Sequence, residues 1–301
     1  MDHKKIKTVL HGYSQIMLQE NAWAGLLFFM AILISSIEIN NIRIFYYSTF
    51  SGILSPLISS YLGHPKQNIS KGLFGYNTIL YSIALAVLFP FSVKTIILLI
   101  IGIASIVILT PIIIDKCLQN FPILTTPFII MTWIACKING YTIDKASITD
   151  NLLSENVTDY LSAFSLNYAE IFLLSSVTGG LLIMVGLLLC GRKLFYTTCA
   201  MSVLSIAVSM YDITSIRQDV FAGLYGYNII LITIAIYTFR TGTITTDLLS
   251  GFCSILFTLK STAILSGILL PYSIPILTLP FVIGTWLYIL IQKIVKSYCN
   301  K

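Results

Sequence analysis

The stretch Gly72-Leu-Phe-Gly-Tyr-Asn77 occurs again, with one aromatic exchange, as Gly223-Leu-Tyr-Gly-Tyr-Asn228, 151 positions later. Two other stretches recur in the same order. Tyr13-Ser-Gln-Ile-Met-Leu18 matches Tyr168-Ala-Glu-Ile-Phe-Leu173 at a spacing of 155, and Pro122-Ile-Leu-Thr-Thr-Pro-Phe128 matches Pro275-Ile-Leu-Thr-Leu-Pro-Phe281 at a spacing of 153. Three collinear matches at nearly equal spacings indicate an internal duplication.

The composition places the duplicated unit in a membrane. Of the 301 residues, 56% are hydrophobic and only 10% are charged, whereas an ordinary soluble protein is about 25% charged. So little charge excludes a soluble enzyme or a nucleic-acid binder. The six cysteines form no CxxC pair, so neither a zinc site nor a disulfide framework is indicated, and no cofactor is expected.

A membrane span needs roughly 20 mostly apolar residues, and ten segments approach this length in two groups of five. We therefore predict an all-α polytopic membrane protein with ten transmembrane helices. The predicted spans are Ala22–Ile37, Ile44–Leu62, Gly72–Phe91, Thr95–Ile114 and Phe121–Cys136, then Val177–Cys190, Leu194–Met210, Val220–Phe239, Leu248–Leu265 and Ile274–Leu290.

A semi-polar segment precedes the first span of each group, Tyr13–Asn21 in one and Tyr168–Ser176 in the other. Neither can cross a bilayer alone, so each is predicted to be a re-entrant half-helix surrounded by protein or by a cavity. The predicted organisation is a first repeat over residues 1–140, an external polar linker over 141–160 and a second repeat over 161–301.

Charge sets the predicted orientation. With the N-terminus inside, twelve lysines and arginines lie on the inner side and five on the outer side, as the positive-inside rule requires. Both termini are then cytoplasmic. Because five spans is an odd number, the second group enters from the opposite side, which makes an inverted repeat with its solute pathway between the halves.

Glu170 and its counterpart Gln15 are the first candidate site residues. An acid at membrane depth is costly and usually faces a cavity, which favours a functional role. The alternative is an interfacial residue at the start of a helix.

Two further pairs of residues come from the other duplicated stretches. Tyr76 and Leu80 share one helix face, as do Tyr227 and Leu231, and two such faces meeting would form a flat apolar slot; close helix packing through the neighbouring glycines is the alternative. Thr125 and Thr278 each stand two residues before a proline that interrupts helical hydrogen bonding. They either line a path or bond their own helices.

These duplicated stretches around ten spans resemble the urea transporter family, over nearly the whole chain. The resemblance implies a homotrimer in the plasma membrane, the inner membrane of a bacterium, in which each subunit passes urea passively. It also implies that Gln15, Leu18, Glu170 and Ile171 border the path, that the tyrosine–leucine pairs form slots for planar urea, and that the two threonines lie mid-pore. The sequence departs from the family pattern in having tyrosine for the usual phenylalanine before both asparagines, and Leu18 for a frequent aromatic.

Passive urea transport is therefore the predicted function. An ion-coupled secondary transporter of another small neutral solute, an amide or an ammonia-like molecule, is the alternative. A membrane enzyme using Glu170 as acid or base is the third possibility, but no histidine or aspartate partner is evident in the sequence. We therefore predict that the protein is not an enzyme.

Overall fold

The computed structural model describes residues 3–116, 121–142, 156–211, 217–240 and 244–299, and all regular elements within these ranges are helical. The predicted all-α class is confirmed. In chain order the α-helices are α1 (His3–Ser14), α2 (Ala22–Glu38), α3 (Arg43–Tyr61), α4 (Lys66–Ser70), α5 (Tyr76–Leu88), α6 (Val93–Lys116), α7 (Thr126–Asn139), α8 (Val157–Ala169), α9 (Val177–Cys190), α10 (Arg192–Tyr211), α11 (Arg217–Phe221), α12 (Tyr227–Phe239), α13 (Ile244–Leu269) and α14 (Leu279–Cys299).

The segment Tyr13–Asn21 contains the bend between helices α1 and α2, and its re-entrant character stays a prediction. Helix α1 ends at Ser14, a 3₁₀ turn follows, and Leu18 takes a left-handed conformation with φ 54°. The side chain of Asn21 then accepts hydrogen bonds from the first backbone N–H groups of α2, which is how an N-cap starts a helix. The chain turns by 79° between α1 and α2. The short helix before this bend is α1, which has 12 residues.

The segment Tyr168–Ser176 likewise contains a bend, here between helices α8 and α9, and its re-entrant character also stays a prediction. Helix α8 precedes it, a 3₁₀ turn over Glu170–Phe172 and a left-handed Leu173 make the break, and Ser176 caps α9. The bend between α8 and α9 is 77°. Because α8 begins at Val157, it also takes the last residues of the predicted linker 141–160, of which residues 143–155 lie outside the described ranges.

Four of the described helices are long and apolar enough to cross a membrane by themselves, and each bent pair, α1–α2 and α8–α9, passes the same test when it is counted as one span. Helices α5 and α12 are apolar but have only 13 residues each, or about 20 Å, against a hydrocarbon core of about 30 Å. The described helices therefore fit a polytopic membrane protein, and the number ten remains a prediction.

Helices α5 and α12 are shorter than the predicted spans because the chain turns sharply before each of them. Gly72 has φ 77° and Gly223 has φ 83°, a region that glycine adopts without the steric cost of a side chain. A Cβ atom on Gly72 would lie 2.4 Å from the backbone of His11. The duplicated glycines thus start the turns that place Tyr76 and Tyr227 at the first positions of their helices.

Helices α2 and α9 join the two halves of the chain by packing antiparallel to each other. At one end, the Asn21 side chain at the start of α2 donates to the Leu189 carbonyl at the end of α9. At the other end, the Ser176 hydroxyl at the start of α9 donates to the Glu38 carboxylate, 2.6 Å away, at the end of α2. Each N-cap residue therefore also holds the end of the neighbouring helix.

The bent pairs are held by glycines that admit a neighbouring backbone, which generates the first prediction. A Cβ atom on Gly25 would lie 2.0 Å from the Leu10 carbonyl oxygen, and one on Gly180 would lie 2.1 Å from that of Ser165. Either glycine replaced by alanine should therefore lower the free energy of unfolding by about 1–3 kcal/mol, measured by thermal melting of the helical circular-dichroism signal in detergent.

The matched control for these glycines is Gly267→Ala. Gly267 lies inside α13, and a Cβ atom there would meet nothing within 4 Å. The Gly267→Ala variant should unfold at the melting temperature of the parent protein or slightly above it, because alanine favours the helical conformation. Equal melting of all three variants would contradict the close approach of α1 to α2 and of α8 to α9.

Candidate functional site

The first half of the site is the irregular segment directly before α7, which we call the first break. Leu124 adopts φ 48°, which is uncommon for a bulky side chain, and Pro127 follows in the first turn of α7. The Leu124 carbonyl oxygen accepts the Tyr76 hydroxyl at 2.7 Å and the Asn77 amide at 3.1 Å. The same Asn77 accepts from the backbone N–H of Phe128, so this buried amide bridges both sides of the break.

The second half repeats this arrangement before α14. Leu277 has φ 53°, and its carbonyl oxygen accepts the Tyr227 hydroxyl at 2.5 Å and the Asn228 amide at 3.5 Å. The Asn228 oxygen accepts from the backbone N–H of Phe281 at 3.3 Å. Both breaks are thus closed by the same set of side chains, and left-handed backbone of this kind tends to cluster at functional sites.

Thr125 and Thr278 bring the two breaks together. Their hydroxyl oxygens lie 2.7 Å apart in a buried position, so one hydroxyl donates to the other. One proton and one lone pair serve this contact, and the two hydroxyls carry one further proton and three further lone pairs between them.

Two tryptophans connect the breaks crosswise around the threonine pair. Trp133 of α7 donates to the Pro275 carbonyl at 2.8 Å, and Trp286 of α14 donates to the Pro122 carbonyl at 3.0 Å. Each break is therefore held in part by a side chain from the other half. This arrangement fixes the separation of the two threonines.

A cavity of about 370 Å³ reaches the second break, where Pro275, Ile276 and Leu277 line it. Glu170, Asp219, Tyr227 and Leu277 are among its lining residues. Glu170 is 7% exposed and accepts a hydrogen bond from the Ser175 hydroxyl at 3.0 Å. Asp219 lies on the short helix α11, where burial raises the pKa of its carboxyl above the ordinary value. The cavity is mostly apolar, and the carboxylates of Glu170 and Asp219 are acceptors among its lining residues.

The structure places the predicted site residues in three groups. Thr125 and Thr278 touch each other. Tyr76 and Tyr227 bond the carbonyls of the leucines that directly precede these threonines. Glu170 shares the cavity with Tyr227, and Ile171 is fully buried beside it. The third group lies apart from these contacts. Leu80 and Leu231 are buried one helical turn after the tyrosines. Gln15 and Leu18 lie half-buried at the α1–α2 break.

Three kinds of site residue were missed by the sequence reasoning. Asn77 and Asn228 stand inside the quoted motifs, and a buried amide must find partners, so their bridging role could have been inferred. Asp219 and Ser175 carry no such signal. The left-handed leucines could not have been identified, because leucine rarely adopts positive φ.

Four apolar helices of membrane length and two bent helix pairs, packed around a buried polar centre, define a helical membrane transporter. The family model described as "UT: Urea transporter" matches residues 6–293, and the chain therefore belongs to the urea transporter family. The resemblance stated from the sequence is confirmed. A comparison with curated proteins finds no match.

The asparagine bridges generate the second prediction. In Asn77→Ala the buried backbone N–H of Phe128 loses its acceptor, and an unsatisfied buried donor costs about 1–3 kcal/mol. The melting temperature in detergent should fall accordingly, and Asn228→Ala should behave alike. Asn68→Ala is the matched control, since Asn68 is exposed on α4. Melting of Asn77→Ala at the temperature of this control would show that the amide does not hold the break.

Proposed function

We propose that the protein is a passive urea channel whose pathway runs between its two halves, through the buried Thr125–Thr278 pair. The family membership supplies the solute. The observation that carries the pathway is the contact of the two hydroxyls, which joins two equivalent helix breaks. Breaks inside a membrane protein are tolerated where they are buried or line a cavity, and in transporters they mark the binding site.

The chemistry of urea fits hydrogen-bond acceptors set in apolar surroundings. Urea is flat, neutral and rich in N–H donors, and each donor left unpaired in a dry passage costs about 1–3 kcal/mol. The threonine hydroxyls offer acceptors at the centre, and the Glu170 carboxylate offers one in the cavity at one mouth. An ion gains no comparable replacement for its hydration shell and is excluded.

The walls of the proposed passage are apolar. Leu80 and Leu231, each one helical turn after a tyrosine, supply flat faces that strip water from a planar solute. Ile171 and Leu18 border the two mouths, next to Glu170 and Gln15 respectively. The groups in contact at the threonine pair are neutral hydroxyls, so binding stays weak and release is fast enough for conduction.

The architecture that we propose is an inverted repeat of two five-span halves, residues 1–140 and 161–301, in a homotrimer. Equivalent bends of 79° and 77°, equivalent left-handed leucines and the crosswise tryptophan bonds support the repeat. The trimer, the bacterial inner membrane and the cytoplasmic termini follow from the family resemblance and from the distribution of positive charge.

Stopped-flow light scattering of proteoliposomes tests the proposal. Vesicles containing the protein should equilibrate urea faster than empty vesicles, and they should do so with no proton or sodium gradient. Glycerol, which is not planar, should pass at the rate of empty vesicles. Urea flux that requires an imposed ion gradient would instead establish coupled transport, and product formation from urea by the purified protein would establish an enzyme.

Replacing the threonines by valine tests the centre of the passage. Valine keeps the shape and removes the hydroxyl, so each single change should slow urea flux about fivefold, as expected for one lost hydrogen bond of about 1 kcal/mol. The double change should slow the flux further. Flux is measured in the same vesicle assay, at equal protein per vesicle.

Thr110→Val is the matched control for the threonine variants. Thr110 is equally buried, but its hydroxyl donates to the Ile106 carbonyl of its own helix α6. The control should conduct urea at the parent rate. A double variant that matches it would remove Thr125 and Thr278 from the passage.

A further inference from the structure

The hydroxyl groups of Tyr76 and Tyr227 have fixed hydrogen-bond partners. Tyr76 donates its hydroxyl proton to the Leu124 carbonyl, and Tyr227 donates its proton to the Leu277 carbonyl. A tyrosine hydroxyl has one proton to donate. Neither hydroxyl can therefore donate to the oxygen of a passing solute without first giving up a buried bond.

The leucine carbonyls that hold these hydroxyls are themselves fully used. A carbonyl oxygen has two lone pairs, and Leu124 accepts from both Tyr76 and Asn77. The equivalent carbonyl, Leu277, accepts in the same way in the second half. These carbonyl oxygens therefore cannot accept a hydrogen bond from urea, and the tyrosine hydroxyls lie next to them.

The bonds also fix where the tip of each aromatic ring lies. Leu124 is the residue directly before Thr125, and Leu277 directly precedes Thr278. Each hydroxyl is thus held one residue from the threonine pair, and Tyr227 and Leu277 also line the 370 Å³ cavity. The asparagine beside each tyrosine bonds the same leucine carbonyl and so holds that backbone in place. The ring tip of the tyrosine therefore has little freedom to move out of the passage.

We propose that the Tyr76 and Tyr227 hydroxyls set the width of the urea passage and exclude N-alkyl ureas. This inference rests on the proposed function and adds the specificity-determining groups to it. A hydroxyl at the ring tip occupies about the volume of one methyl group. Space for one such group typically changes the discrimination between two solutes that differ by it by about 10-fold or more. Urea passes the narrowed section, whereas its N-methyl derivative collides there.

The double variant Tyr76→Phe/Tyr227→Phe tests this inference directly. It keeps both rings, removes both hydroxyls and frees one acceptor position on each leucine carbonyl. The measurement is the ratio of N-methylurea flux to urea flux in proteoliposomes. The ratio should rise about tenfold over the parent value, and each single variant should give part of that rise.

Tyr81→Phe is the matched control. Tyr81 lies on the same helix α5, is fully buried and donates to a backbone carbonyl, that of Leu98, at 2.9 Å. Its ring packs against Gly102 of α6 and not against a break. A solute ratio is insensitive to the amount of folded protein, so this control and the two single variants should keep the test decisive even where a variant is less stable.

The outcomes separate the inference from the function on which it rests. A parent protein that conducts no urea overturns the proposed function. A parent that conducts urea, together with a double variant whose ratio equals that of Tyr81→Phe, overturns the inference alone. The inference is also overturned if urea and N-methylurea flux fall in equal proportion, because the hydroxyls would then only order the breaks.

Discussion

The irregular segments before α7 and α14 meet in a buried position, and the backbone polar groups of these two breaks need partners inside the protein. Lipid offers no hydrogen bonds, so irregular backbone is tolerated at membrane depth only under this condition. The buried amides of Asn77 and Asn228 satisfy it by bonding both sides of each break. The positions of the threonines, tyrosines and tryptophans all depend on those two bridges.

The same constraint explains why the polar groups come in equivalent sets. Each break is closed by a tyrosine and an asparagine from its own half and a tryptophan from the other half. These bonds recur because the break itself is duplicated. Residues outside the two breaks are not under this constraint and can differ between the halves. Glu170 stands where the first half has Gln15, and Asp219 stands 151 positions after Asn68, so similar shapes carry different charge.

The class of fold and the residues at the centre could be predicted from the sequence because both leave a pattern in it. Low charge and long apolar runs indicate a membrane protein, and duplication singled out Thr125 and Thr278. The extent of α1 was not predictable, since a short, polar helix has no apolar length to mark it. Hydrogen bonds such as Tyr76 to Leu124, 48 residues apart, depend on a left-handed leucine that no local preference indicates.

The crosswise tryptophan bonds have a consequence for the order in which the chain is made. The Pro122 carbonyl receives its donor from Trp286, which is synthesised 164 residues later. At usual rates of elongation this interval is roughly 10–30 s. Throughout that time the first half waits in the membrane with its break incompletely held, exposed to misassembly or to helper proteins. The centre of the protein is thus among the last parts to be completed, although half of its residues are among the first to be inserted.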